Sequence, residues 1–198
     1  MQNDIYKTIE NMSTAAYKEK GSRFLAFAFP VSNEEIIKEH LQNLKQKYYD
    51  ATHRCFAWML GLDENNYRIN DDGEPSGTAG KPILGQIKSH EVTNILIVVV
   101  RYFGGTKLGT SGLIHAYKTA AAEALTNAKI IEKTVNIFYE ISFDYKVLND
   151  VMRIIKEENP KIINQKLDLN CYLKFYIRMS KSETILNKLK KIETLVIK

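Results

Sequence analysis

The chain has 198 residues, of which 44% are hydrophobic and 26% charged, with 10 Gly, 4 Pro, 2 Cys and a net charge of +5. These values exclude collagen-like, disordered and disulfide-scaffold classes and suit one large domain or two small ones. The longest aliphatic run, Ile95 to Val100, is far short of the roughly 20 residues that span a bilayer, and the N-terminal MQNDIYKTIE, polar and mixed in charge, predicts neither a signal nor a transit peptide.

Arg23 to Val31 (RFLAFAFPV) reads as a strand that ends near Pro30. Ser32 and Glu35 form an S-x-x-E capping box for a helix on which Ile37, Leu41, Leu44 and Tyr48 recur at helical spacing. Arg54 to Leu62 and Tyr67 to Asn70 are the next strands. DDGEPSGTAG, from Asp71 to Gly80, is too rich in Gly and Pro for a regular element. Pro82 suits the first turn of a short helix carrying Ile83, Leu84 and Ile87. Asn94 to Phe103 (NILIVVVRYF) is a continuous β-branched run, as expected of a central strand covered on both faces. It runs through GGTKLGTSG into a helix from about Leu113 to Ala128, whose Ala116, Ala120 and Ala124 permit close approach to a sheet.

The remainder reads as strand (Val135–Phe143), helix (Lys146–Glu158, closed by Pro160), two strands about a turn at Asn170 (Ile162–Leu169 and Cys171–Met179), helix (Ser182–Ile192) and strand (Leu195–Ile197). That βαββαβ order is the ferredoxin-like split βαβ unit. The expectation is an α+β protein of two domains, residues 1–133 and 134–198. The second carries most of the positive charge, with 12 Lys/Arg against 8 Asp/Glu, a bias compatible with RNA or a ribosomal surface. Cys55 and Cys171 lie in apolar runs and are expected to be reduced packing residues, which favours the cytoplasm.

The chemistry, if any, belongs to two segments holding most of the glycines. The first contains Asp71, Asp72, Gly73, Glu74, Ser76, Gly77, Thr78 and Gly80, followed by Lys81. Its carboxylates suit either Mg²⁺ or a solvated turn, and no metal site is assigned. The second contains Arg101, Tyr102, Phe103, Gly104, Gly105, Lys107, Gly109, Thr110 and Ser111. A strand–glycine loop–helix junction exposes backbone N–H groups to an anion, and Lys107, Thr110 and Ser111 add a cation and two hydroxyls. The glycines equally suit tight turns and close helix–sheet packing. Gly104 and Gly109 have Walker A spacing, but Thr110 stands where its Lys belongs, and no G-x-G-x-x-G fingerprint is present. His53 and Cys55 share a strand face at a spacing that rarely makes a nucleophile–base pair.

DDGEPSGTAGKPIL followed by VVVRYFGGTKLGTSGLIHAY, with Ser22–Arg23–Phe24 and Ala51–Thr52–His53, resembles the signature of the Impact family, whose bacterial members are called YigZ-like. Ser111 stands where that pattern usually has Gly, and His115 where it usually has Arg. The resemblance implies an N-terminal domain like the second domain of a ribosomal small-subunit protein, a fold shared with GHMP kinases. It also implies a C-terminal domain like the last domain of elongation factor G, and in eukaryotic relatives a link to translational control. It brings no catalytic set and no cofactor.

The expected function is therefore non-enzymatic and translation-associated, with RNA, the ribosome or a translation-related protein as partner and no membrane. Phosphate contacts are expected from Lys81, Arg101, Lys107 and backbone amides, with Tyr102 and Phe103 available for stacking. The alternatives are an enzyme acting on a small phosphorylated substrate and a protein-interaction module.

Overall fold

The computed structural model describes residues 4–198; Met1–Asn3, part of the stretch read for a leader, lie outside the described residues. The chain forms two compact units. One comprises residues 6–132; the other joins Asp4 and Ile5 to residues 133–198. The division falls just before the expected boundary, and the N-terminal residues Asp4 and Ile5 go with the second unit.

The first unit is built on β1 (Ile5–Ile9), β2 (Ser13–Glu19), β3 (Ser22–Pro30), α1 (Glu34–Lys47), β4 (His53–Met59), β5 (Tyr67–Asn70), α2 (Gly80–Ser89), β6 (Ile95–Tyr102), α3 (Gly109–Thr126) and β7 (Ile130–Thr134). β1 pairs with β7, and the other strands form a sheet in the order β2-β3-β6-β4-β5 with antiparallel neighbours throughout. β6 lies at its centre, as its unbroken apolar run predicts. Successive side chains alternate between the faces of a strand. Ile95, Ile97 and Val99 therefore pack with α2 and α3, while Leu96, Val98 and Val100 pack with α1. All six are fully buried, each contributing about 1.5–3 kcal/mol by leaving water. On α3, Ala116, Ala120 and Ala124 are wholly buried, and this small-residue face lies against β2 and β3.

Three local expectations are corrected. The N-cap of α1 is Asn33, not Ser32: Asn33 has the extended backbone, and its Oδ1 accepts the Ile36 N–H at 2.9 Å. Helix α3 starts at Gly109, not Leu113, because the buried Leu108 anchors its entry and draws GTSG into the first turn. The sequence reading also placed no strand at β1, β2 or β7. On β2 the residues facing inward are Ser13, Ala15, Tyr17 and Glu19, too small or polar to show an apolar alternation.

The second unit contains β8 (Asn136–Asp144), a 3-10 turn (Tyr145–Val147), α4 (Leu148–Glu158), β9 (Lys161–Lys166), β10 (Asn170–Arg178), α5 (Met179–Leu189) and β11 (Val196–Ile197). The sheet order is β11-β8-β10-β9, with antiparallel neighbours. Val151, Ile154 and Ile155 of α4 and Ile185 and Leu189 of α5 cover one face, formed by Ile141, Phe143, Leu173, Phe175 and Ile177. Asn159 ends α4 in the left-handed conformation, just before Pro160. Asp4 is buried in this unit. Its carboxylate takes a forked pair of bonds from Arg178 at 2.7–3.0 Å and the Ser180 N–H at 2.8 Å.

Candidate functional site

The parity of β6 carries through to its end. Arg101 follows Ile97 and Val99 on the face that packs under α3, and is only 5% exposed. Its register neighbours are Phe24 on β3 and His53 on β4, so Phe24, Arg101 and His53 form one cross-strand row. Into this row comes Glu74 of the first glycine segment. Its Oε1 lies 2.6 Å from Arg101 Nη1 and accepts the Tyr117 hydroxyl of α3 at 2.8 Å. His53 Nε2 is 3.9 Å from the same oxygen, and His53 Nδ1 is 2.8 Å from the Asp72 carbonyl. A carbonyl only accepts, so Nδ1 carries the proton. The two glycine segments thus meet through a buried ion pair.

The guanidinium carbon lies over two rings, 5.5 Å from the Phe24 centroid and 5.7 Å from that of Phe103. Ser22 Oγ accepts from Arg101 Nη2 at 3.4 Å and from the Gly104 N–H at 3.2 Å, while Arg101 Nε has no partner among the described residues. Cys55 Sγ is 3.0 Å from the Asp71 carbonyl and 3.3 Å from the Tyr117 hydroxyl, which share its single hydrogen. Burial pushes both the Cys55 thiol and the Tyr117 phenol well above their usual ranges. A thiol so shielded, bonded to Asp71 and Tyr117 rather than to His53, is a poor nucleophile.

The three carboxylates of the first segment diverge. Asp71 turns onto its own loop: Oδ2 accepts the Gly77 N–H at 2.8 Å, and Oδ1 accepts those of Ala79 at 3.1 Å and Gly80 at 2.8 Å. Burial raises its pKa, but these amides and nearby Lys81 outweigh that, and the net shift is downward. Asp71 therefore serves as an internal anion at the N-terminus of α2. Asp72 accepts the Arg54 N–H at 2.7 Å, and Glu74 points inward to Arg101. Among the described residues no group of three His, Cys, Asp or Glu side chains is placed to hold a metal ion, so the acidic turn does not form the Mg²⁺ cluster that its spacing allowed. Thr78 closes the turn by donating to the Pro75 carbonyl at 2.7 Å, and Ser76 is exposed. A Cβ on Gly80 would sit 2.9 Å from Ile69 Cβ, so this glycine serves close helix–strand packing.

The second segment differs. Arg101 is not available to a surface phosphate, because Glu74 neutralises it inside. The Tyr102 hydroxyl is tied to Asp50 at 2.8 Å. Phe103 is 49% exposed. Gly104 is architectural: a Cβ there would fall 1.9 Å from the Gly21 carbonyl carbon. Gly105 and Gly109 have φ of +85° and +71° and face open space. Lys107, Thr110 and Ser111 are exposed, and among the described residues no side-chain cap closes the first turn of α3. The two helix N-termini thus contrast: Asp71 fills that of α2, while among the described residues no side chain caps that of α3.

Sequence reasoning placed His53 and Cys55 on one face but did not join them to Ser22, Glu74, Arg101 and Tyr117. Counting the alternation of β6 to its last residues would have turned Arg101 inward. Nothing local marks Tyr117 as its neighbour.

Residues 20–125 match the family model described as Impact N-terminal domain. The chain is similar to IMPACT family member YvyE of Bacillus subtilis, 36% identical over 152 residues, or 77% of this chain and 70% of that protein. It is also similar to IMPACT family member YigZ of Escherichia coli, 35% identical over 153 residues, or 76% of this chain and 75% of that protein. A crystal structure of a hypothetical protein covers 98% of this chain and 97% of its own at 30% identity, with a TM-score of 0.75.

Proposed function

We propose that this chain, which belongs to the Impact family, is a cytoplasmic, non-enzymatic protein of translational regulation that binds RNA, free or on a ribosomal surface. The observation that carries the reading is the contrast between the two glycine segments. The first satisfies its own amides with Asp71. The second leaves the α3 N-terminus without a side-chain cap, beside exposed Lys107 and half-exposed Phe103. Backbone N–H groups, a helix dipole and a lysine together suit a phosphate. The translational context comes from what the family resemblance implies for eukaryotic members. Among the described residues no helix is long and apolar enough to cross a membrane.

For the two folds, we read residues 134–198 as ferredoxin-like, which the βαββαβ order with β8 and β10 central supports. The first unit we read as the domain shared with a ribosomal small-subunit protein.

Salt dependence tests the phosphate contact. Binding of a single-stranded RNA weakens with salt at a log–log slope of about −0.7 per phosphate contact. Lys107→Ala makes the slope shallower by about one such unit for all sequences alike, and Lys107→Arg keeps it. Gly105→Val weakens binding without changing net charge, because a β-branched residue resists positive φ. Salt-independent binding, or a Lys107→Ala protein that binds RNA like the native one, places the contact elsewhere.

An enzyme acting on a phosphorylated substrate is the weaker reading, since Glu74 is held by Arg101 and Tyr117 and the other two carboxylates are engaged by backbone amides. Mg²⁺ with ATP is expected to leave the melting temperature unchanged. A rise that disappears when Asp71, Asp72 and Glu74 become Asn, Asn and Gln would reverse the order of the two readings.

A further inference from the structure

Among the described residues, the sheet of the second unit has helices on one face only. Cys171, Leu173, Phe175 and Ile177 of β10 and Ile141 and Phe143 of β8 are buried beneath α4 and α5. The alternate residues of these two central strands form the other face. Phe138 and Tyr176 are directly opposite each other in register. They are 45% and 43% exposed, and their ring centroids are 5.6 Å apart. Tyr172, opposite Ser142, lies on the same face two positions from Lys174, whose partner is Glu140.

The cations are interleaved with these rings. On β9, Lys161 pairs in register with Tyr176 and Lys166 with Tyr172. Lys174 stands between the two tyrosines, with its Nζ 6.0 Å from the Tyr172 ring centroid. β9 and β10 carry Lys161, Lys166, Lys174 and Arg178 and no carboxylate. Arg178 is committed to Asp4. Lys166 and Lys174 form pairs with Asp168 at 3.3 Å and Glu140 at 3.0 Å, solvent-accessible contacts of a kind that contributes little and exchanges readily.

We propose that this open sheet face is a stacking platform for unpaired RNA bases, with Phe138, Tyr176 and Tyr172 under the bases and Lys161, Lys166 and Lys174 along the phosphates. The proposal rests on the reading of RNA as the ligand and adds a second contact to it. Aromatic rings exposed on the central strands of a four-stranded sheet offer each base a π-face whatever its sequence. A lysine in register beside each tyrosine matches a polyanion; the core of a protein–protein interface is instead depleted in lysine. Bases already paired in a duplex cannot reach such a surface, so the ligand is single-stranded. The lysines of α5 are a different matter: Lys188 is held by Glu157 at 3.0 Å and Glu158 at 2.6 Å on the helical side.

The test is fluorescence anisotropy of the full chain with a labelled short oligouridylate and with an RNA duplex. Phe138→Ala and Tyr176→Ala each weaken oligouridylate binding roughly tenfold, leave the salt slope unchanged and leave duplex binding unchanged. Phe138→Tyr and Tyr176→Phe retain affinity. Lys161→Ala with Lys166→Ala makes the slope shallower by about two phosphate units. Thermal melts by circular dichroism confirm that these exposed positions do not carry the fold. The proposal is overturned if the Phe138→Ala, Tyr176→Ala double variant binds oligouridylate like the native chain. If Lys107→Ala weakens binding in that case, RNA sits on the glycine junction alone and the proposed function stands. If the native chain binds no oligouridylate, both fall. If the double variant instead dissociates a self-associated form in sedimentation with RNA binding unchanged, the face is a contact between copies, and the platform is likewise overturned.

Discussion

Glu74 and Arg101 are 27 positions apart in the chain, yet Glu74 Oε1 and Arg101 Nη1 lie 2.6 Å apart with both side chains buried. The pair joins the acidic turn to the last inward position of β6. It makes one arginine structural that the sequence offered as a phosphate ligand. Lys107, on the loop that follows and two residues before α3, is exposed instead.

Breaking this pair from one side is expected to be costly. Glu74→Ala leaves Arg101 buried without its counter-charge and the Tyr117 hydroxyl without its acceptor, and is expected to destabilise the first unit by about 3–5 kcal/mol. Glu74→Gln keeps an acceptor for Tyr117 and loses less. Equilibrium urea unfolding measures both, and equal stability of the native chain and Glu74→Ala would show that the pair holds nothing together.

Neighbouring glycines are expected to respond differently to the same substitution. Gly104→Ala places a Cβ 1.9 Å from Gly21 backbone, where no side chain can yield, and is expected to cost more than the 1–3 kcal/mol typical of overpacking. Gly105→Ala meets nothing within 4 Å, and its φ of +85° is its main penalty, about 1–2 kcal/mol. The two melting temperatures should fall in that order. A Gly105→Ala protein less stable than Gly104→Ala would contradict the close approach.

The second unit should show an acid transition centred on Asp4. The Arg178 guanidinium holds the Asp4 carboxyl below the usual carboxylate range. A depressed native pKa means that the stabilisation is present above the unfolded carboxylate pKa and is lost as pH falls through the lower native value. Asp4→Asn is therefore expected to lower the melting temperature at neutral pH, with the difference from the native chain shrinking at strongly acid pH. A difference that stays constant across that range would exclude Asp4 as the titrating group.

Separation of the units is testable by expression. Residues 6–132 and the full second unit are each expected to fold alone, whereas a fragment starting at residue 134 lacks Asp4 and leaves Arg178 and the Ser180 N–H without their acceptor. That fragment should melt lower than one in which the first five residues are joined to residue 133 by a flexible linker. Dispersed amide spectra from each piece would support two domains; insoluble or unfolded pieces would refute them.

Much of the architecture was legible from local pattern. The β-branched run of β6 announced a strand covered on both faces, and Tyr67–Asn70 and the helix around Pro82 were read directly from turn chemistry and spacing. The strands that escaped notice were those whose burial is not written in apolar residues, as on β2, where Ser13 faces inward and donates to the Ala124 carbonyl at 2.6 Å. The start of α3 was read late because glycines are poor helix formers, and packing of Leu108 overrides that preference.

The candidate site divides in the same way. Sequence by itself marked the two glycine segments as the irregular part of the chain and put His53 and Cys55 on one face; the period of two along β6 also held the inward face of Arg101, although the residue was offered as a phosphate contact. Those are properties of neighbouring residues on one chain. Only the tertiary structure decided that Glu74 turns inward while Asp71 turns back on its own loop, that Tyr117 reaches the same oxygen as Arg101, and that Phe138 and Tyr176 stand opposite each other on an open face. Each depends on strand order and register between distant segments. These are set by the summed burial of whole elements, and no local window of sequence contains that sum.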